Sequence, residues 1–136
     1  MNPEKPHVLV VHHDIDMADQ ETDSLRRMGY VVEQCWGPSS YSCPVMRGEP
    51  CEAVERADVL VYDVFATGES DGGKSLVEGL RDLHPNIPVV LTASGMELNW
   101  VETEPNKPHL VVPLVGIPTA DRLDLAIKEA FSARQK

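Results

Sequence analysis

Five short apolar runs punctuate the chain, at residues 7–11, 30–35, 58–62, 87–92 and 109–112, and longer polar or amphipathic stretches separate them. Four of the runs are continuous rather than alternating: Val8-Leu9-Val10-Val11, Val59-Leu60-Val61, Val89-Val90-Leu91 and Leu110-Val111-Val112. Unbroken, valine-rich runs suit strands covered on both faces, as in a parallel sheet between two layers of helices. The intervening segments carry helical spacing. Residues 16–28 start acidic, offer Met17, Leu25 and Met28 to a buried side, and meet Gly29 as a stop. Pro50 opens a short helix over 51–57, and Leu76, Leu80 and Leu83 recur at i, i+4 and i+7 before Pro85. Leu123, Ile127, Ala130 and Phe131 make one stripe behind a Thr119 cap. Between Ser94 and Pro108, the prolines Pro105 and Pro108 leave room for only a short helix. This βα alternation predicts an α/β fold: a doubly wound, five-stranded parallel sheet in the order 2-1-3-4-5.

Size and charge narrow the class. At 136 residues, 42% hydrophobic and 25% charged, the chain has the composition of one domain over 1–136, with its core over 7–131. Residues 37–48 make a longer loop than usual and read as an insertion. Twenty-two acidic against twelve basic residues give a net charge of −10, which repels phosphate backbones and anionic lipid. Neither nucleic acid nor membrane is an expected partner. No apolar stretch nears the roughly 20 residues that span a bilayer, and Met1-Asn2-Pro3-Glu4-Lys5-Pro6 lacks a signal-peptide layout, so the expected location is cytoplasmic. Cys35, Cys43 and Cys51, an odd number without CxxC spacing, agree with a reducing compartment.

In such sheets the working site lies beyond the carboxyl ends of the strands, near the point where strand order reverses. Those ends carry His12-His13-Asp14, Asp63, Thr92-Ala93-Ser94 and Val112-Pro113. His12, His13, Asp14 and Asp63 are suitable donors for a transition metal. Adjacent residues on a strand end tend to point to opposite faces, however, so His12 and His13 rarely share one ion. Neutral histidines hydrogen-bonded in a cleft are the plainer alternative, as are a loop-capping Asp63 and a packing Thr92.

Other segments carry candidate chemistry. Gly68-Glu69-Ser70-Asp71-Gly72-Gly73-Lys74-Ser75 has the spacing of a phosphate-binding loop between a strand and a helix. Glu69 and Asp71 place negative charge where phosphates would sit, and no later apolar run ends in the aspartate that would support Mg²⁺. A flavin site needs a hydroxyl- and glycine-rich loop after the first strand, and His12-His13-Asp14-Ile15-Asp16 is not one. Cys43 and Cys51 flank residues 44–50 at no recognised metal spacing and read as free thiols, although Cys51 falls near a helix start. Trp36, Tyr41 and Met46 give the inserted loop apolar surface, which predicts an ordered flap or a protein contact.

Val8-Leu9-Val10-Val11, then Asp58-Val59-Leu60-Val61-Tyr62-Asp63, then Gly73 through Leu80-Arg81 and Pro85, then Ile87-Pro88-Val89-Val90-Leu91-Thr92-Ala93 follow one another in that order. In this order they resemble the first strand, third strand, third helix and fourth strand of the receiver domains of two-component response regulators, over nearly the whole chain. The resemblance implies a flavodoxin-like, receiver-like fold, with Asp63 as phosphoacceptor and Thr92 as the switch hydroxyl. Three features depart from it. The acidic pair that holds Mg²⁺ after the first strand is His12 and His13 here, with only Asp14 following, and imidazoles are poor ligands for that ion. The lysine before the proline after the fifth strand is Val112, and Val64-Phe65-Ala66-Thr67-Gly68 lacks the usual Met-Pro.

Phosphoryl transfer onto a carboxylate depends on cations that neutralise charge on the phosphoryl oxygens. The expectation is therefore an atypical, stand-alone receiver-like module with weakened Mg²⁺ binding, no other cofactor, and slow or absent phosphorylation of Asp63. Its output is expected to pass through a protein partner, a kinase or an effector, or through a homodimer. The face made by 94–108, the strand at 109–112 and the C-terminal helix is the natural contact. The chain reads as a regulatory module rather than an enzyme. The alternatives are a phosphorylation-competent single-domain response regulator and a small nucleotide-binding protein using Gly68 to Ser75.

Overall fold

A computed structural model of the chain describes residues 6–12, 14–36, 48–64, 74–92, 111–114 and 116–134. Within them run the strands β1 (His7–His12), β2 (Val31–Trp36), β3 (Val59–Asp63), β4 (Val89–Thr92) and β5 (Val111–Leu114). Between and after them come the helices α1 (Ile15–Arg27), α2 (Glu52–Arg56), α3 (Lys74–Leu83) and α4 (Ala120–Arg134). The sheet is parallel throughout, in the order β2-β1-β3-β4-β5 that the apolar pattern predicts.

The continuous apolar runs are explained by two buried layers, because successive side chains of a strand point to opposite faces. Leu9, Val11, Leu60, Tyr62, Val89 and Leu91 pack with Val54 of α2 and with Leu76, Val77 and Leu80 of α3. Val8, Val10, Val59, Val61 and Val90 pack with Ala18 and Leu25 of α1 and with Leu123, Ile127 and Ala130 of α4. Burying each large aliphatic side chain contributes about 1.5–3 kcal/mol.

Asp14 starts α1: its Oδ1 accepts hydrogen bonds from the amides of Asp16 and Met17, at 2.9 and 3.2 Å. Gly29 ends the following turn at a φ of 98°, a left-handed conformation that glycine adopts without a Cβ penalty. Thr119 caps α4 as predicted, accepting from the Arg122 amide at 3.4 Å. Tyr30 lies before β2 rather than in it, and its hydroxyl donates to Asp124 Oδ1 at 2.5 Å, tying the α1–β2 turn to α4.

Two elements differ from their expected form. The last strand was expected over 109–112 and is Val111–Leu114, because β5 is an edge strand and accommodates the exposed Pro113, whose missing N–H costs no ladder bond there. The buried side of α1 is Ala18, Glu21, Thr22 and Leu25, while Met17 is 36% exposed. The helix is phased so that two polar side chains face the sheet: Thr22 Oγ1 accepts from Gln34 Nε2 of β2 at 2.7 Å, and Glu21 reaches β1. Among the described residues no helix is long and apolar enough to cross a membrane. The inserted loop apart from Gly48, the glycine-rich segment before Lys74 and the expected short helix over 94–108 lie outside the described residues.

Candidate functional site

Strand alternation decides which strand-end side chains meet. His12 follows Val8 and Val10, Asp63 follows Val59 and Val61, and Thr92 follows Val90, so all three have the parity of the layer covered by α1 and α4. Asp63 and Thr92 are register partners on β3 and β4. The three residues are 6%, 3% and 3% exposed. Into the same cluster α1 brings Glu21, 4% exposed.

His12 is the centre of this group. Its Nδ1 accepts the Asp14 amide at 3.0 Å, so the neutral ring carries its proton on Nε2. That nitrogen lies 3.7 Å from Glu21 Oε2, an ion-pair distance rather than a hydrogen bond, and Nδ1 lies 3.9 Å from Asp63 Oδ2. Both Glu21 oxygens and Thr92 Oγ1 are buried without a hydrogen-bond partner among the described residues. Burial first, and the like charge of Asp63 second, push the Glu21 carboxyl from 4.5 up to about 7.

Of the residues singled out from sequence, His12, Asp63 and Thr92 come together. His13 lies outside the described residues. Asp14 is exposed, and its carboxylate turns to the first amides of α1. Val112 is half-buried against the α1 and α4 layer and pairs with Val90, so it places an aliphatic group where a cation was expected from the resemblance. Among the described residues no three histidine, cysteine or acidic side chains stand in an arrangement that could hold a metal ion. The described donors also do not make the oxygen-rich set that Mg²⁺ requires, since β1 ends in an imidazole whose Nδ1 is already engaged.

Lys74 is exposed at the start of α3, with Nζ 4.0 Å from Glu78 Oε1. Cys51 precedes α2 and donates its amide to His84 Nε2 at 3.0 Å; Cys51 and Cys35 are half-buried, and Cys43 lies outside the described residues.

Glu21 is the residue that sequence reasoning missed. The available signal was its place in the spacing Ala18, Glu21, Thr22, Leu25, which is i, i+3, i+4 and i+7 and therefore one helix face.

No protein-family model matches the chain, and no curated protein matches it. Solved structures do. A response regulator receiver domain protein from Clostridium thermocellum superposes with a TM-score of 0.74 at 18% identity, over 96% of this chain and 98% of that one. The receiver domain of nitrogen regulatory protein C gives 0.71 at 18% identity, over 98% and 100%. NtrX from Brucella abortus, solved in complex with ATP, gives 0.68 at 19% identity over 96% of this chain, which spans only 28% of the NtrX chain. At these identities the likeness is one of fold, and the fold of this chain is that of the response-regulator receiver domains.

Proposed function

We propose that the chain is an atypical receiver-like signalling module that acts through a protein partner, with Asp63 in the phosphoacceptor position and its phosphorylation impaired. The observation that carries this reading is the placement of Asp63: buried at the carboxyl end of β3, beside Thr92, and faced by His12 and Glu21. Position supports the acceptor role. The company it keeps supports the impairment, because a phosphoryl group arriving at Asp63 needs positive charge around its oxygens. Val112 supplies none, and the imidazole of His12 is shared with a second carboxylate.

With no oxygen-rich set for Mg²⁺ among the described donors, no step is assigned to that ion. What the described residues themselves do is hold Asp63 out of water, set it beside Thr92 in the register of β3 and β4, and bring a second carboxyl, Glu21, into the same cluster. Output through a protein partner is supported by the likeness in fold to response-regulator receiver domains, an analogy of fold.

Intact-protein mass spectrometry after incubation with Mg²⁺ and acetyl phosphate tests the reading. Asp63-dependent labelling that is slow or absent agrees with it. Rapid labelling lost in Asp63→Asn identifies a phosphorylation-competent response regulator instead.

A further inference from the structure

Glu21 is one of the most buried charged side chains of the described chain. Its carboxylate comes from α1, across from the strand ends, and meets His12 on the nitrogen opposite to the one nearest Asp63. Neither of its oxygens accepts a hydrogen bond from the described residues, and little of the side chain reaches solvent, so among those residues only the His12 ring at 3.7 Å stands near its charge. Charges in such an interior act on one another several-fold more strongly than in water.

Acceptance of a phosphoryl group by Asp63 is a simple displacement. A carboxylate oxygen of Asp63 attacks phosphorus, the bond from phosphorus to the donor oxygen breaks, and the donor leaves with the electron pair, as acetate when acetyl phosphate is used. The three remaining phosphoryl oxygens bring negative charge into the pocket. Glu21 opposes that charge, with only the His12 ring, which lies within 4 Å of both acids, between the two carboxyl groups.

We propose that Glu21 is an electrostatic brake on Asp63: a carboxylate carried by α1 whose charge holds down the rate at which Asp63 accepts an anionic phosphoryl group. This rests on Asp63 being the acceptor, and it assigns part of the impairment to a residue that is present rather than only to those missing from the strand ends.

The test compares wild type, Glu21→Gln and Glu21→Asp at pH 8, labelled with acetyl phosphate with and without Mg²⁺ and followed by intact mass, with Asp63→Asn as background. Thermal unfolding establishes that each variant is folded. Glu21→Gln is expected to label Asp63 about tenfold or more faster than wild type, while Glu21→Asp, which keeps the charge, stays close to wild type. Equal rates for wild type and Glu21→Gln, both undetectable included, overturn the brake. So does slower labelling of Glu21→Gln, the result if the carboxylate served to hold a cation, and so does a Glu21→Asp variant as fast as Glu21→Gln. Rapid labelling of wild type itself overturns the impaired-acceptor reading, and the ratio between variants then still decides the brake.

Discussion

Glu21 of the first helix places Oε2 3.7 Å from Nε2 of His12 at the end of the first strand. The two residues are 4% and 6% exposed, so the contact is made inside the protein, on the same side of the sheet as Asp63 and Thr92. A helix side chain thereby enters a cluster otherwise built from strand ends.

Burial of this carboxyl makes stability depend on pH. Its value is 4.5 when free and about 7 in the folded chain, so between these limits the folded state holds a proton that the unfolded state has lost. Stability therefore falls as pH rises from 4.5 through 7, by roughly 3 kcal/mol for a shift of this size. Glu21→Gln mimics the protonated acid and should stabilise the protein by that order at pH 8, with little effect at pH 5. Urea unfolding at the two pH values reads the difference; an equal effect at both would contradict the assignment. His12 and Asp63 are the titratable groups that face Glu21, and both are retained in this comparison.

How much of this was readable beforehand follows from what each residue signals. Valine-rich continuous runs announce doubly covered strands, and the reversal of strand order brings the ends of β1, β3 and β4 together, so His12, Asp63 and Thr92 were accessible from sequence. Glu21 was not, because an acidic residue between Gln20 and Thr22 is ordinarily assigned to the solvent side of a helix. The His12 ring, with Nε2 3.7 Å from Glu21 Oε2, and protonation of the acid lessen the cost of the inward orientation. The shift of β5 has a similar origin: Pro113 reads as a strand terminator unless the strand is known to lie at the edge.

Tyr30 makes a second long-range polar link, from the α1–β2 turn to α4. Its hydroxyl donates to Asp124, which also lies 3.0 Å from Lys128 Nζ. Burial first, then the bond to Asp124 and its charge, push the phenol above its ordinary range. Tyr30→Phe should cost about 1–2 kcal/mol in chemical unfolding, and in an alkaline absorbance titration it should remove a tyrosine that ionises late. Loss of an early-titrating tyrosine would contradict the link.

The Asp14 carboxylate works on the helix it begins. Replacing it with alanine removes the acceptor for the Asp16 and Met17 amides and should cost about 1 kcal/mol, whereas Asp14→Asn should cost less. Denaturant midpoints that do not separate these two variants would argue against capping as its role.

Lys74 should matter little. Its exposed pairing with Glu78 at 4.0 Å is of a kind worth about 0.3–0.5 kcal/mol, so Lys74→Ala should leave the unfolding midpoint almost unchanged. Calorimetry with ATP should show no binding in wild type. Tight binding abolished by Lys74→Ala would instead favour the nucleotide-binding alternative.

Carbon-13 NMR of the Glu21 side-chain carboxyl between pH 4 and 9 observes directly the ionisable group buried in the cluster with His12 and Asp63. The expected midpoint is near 7, and it moves down in Asp63→Asn because the like charge of Asp63 is removed. A midpoint near 4.5, unmoved by Asp63→Asn, would place Glu21 in solvent and contradict the cluster from which the function is argued.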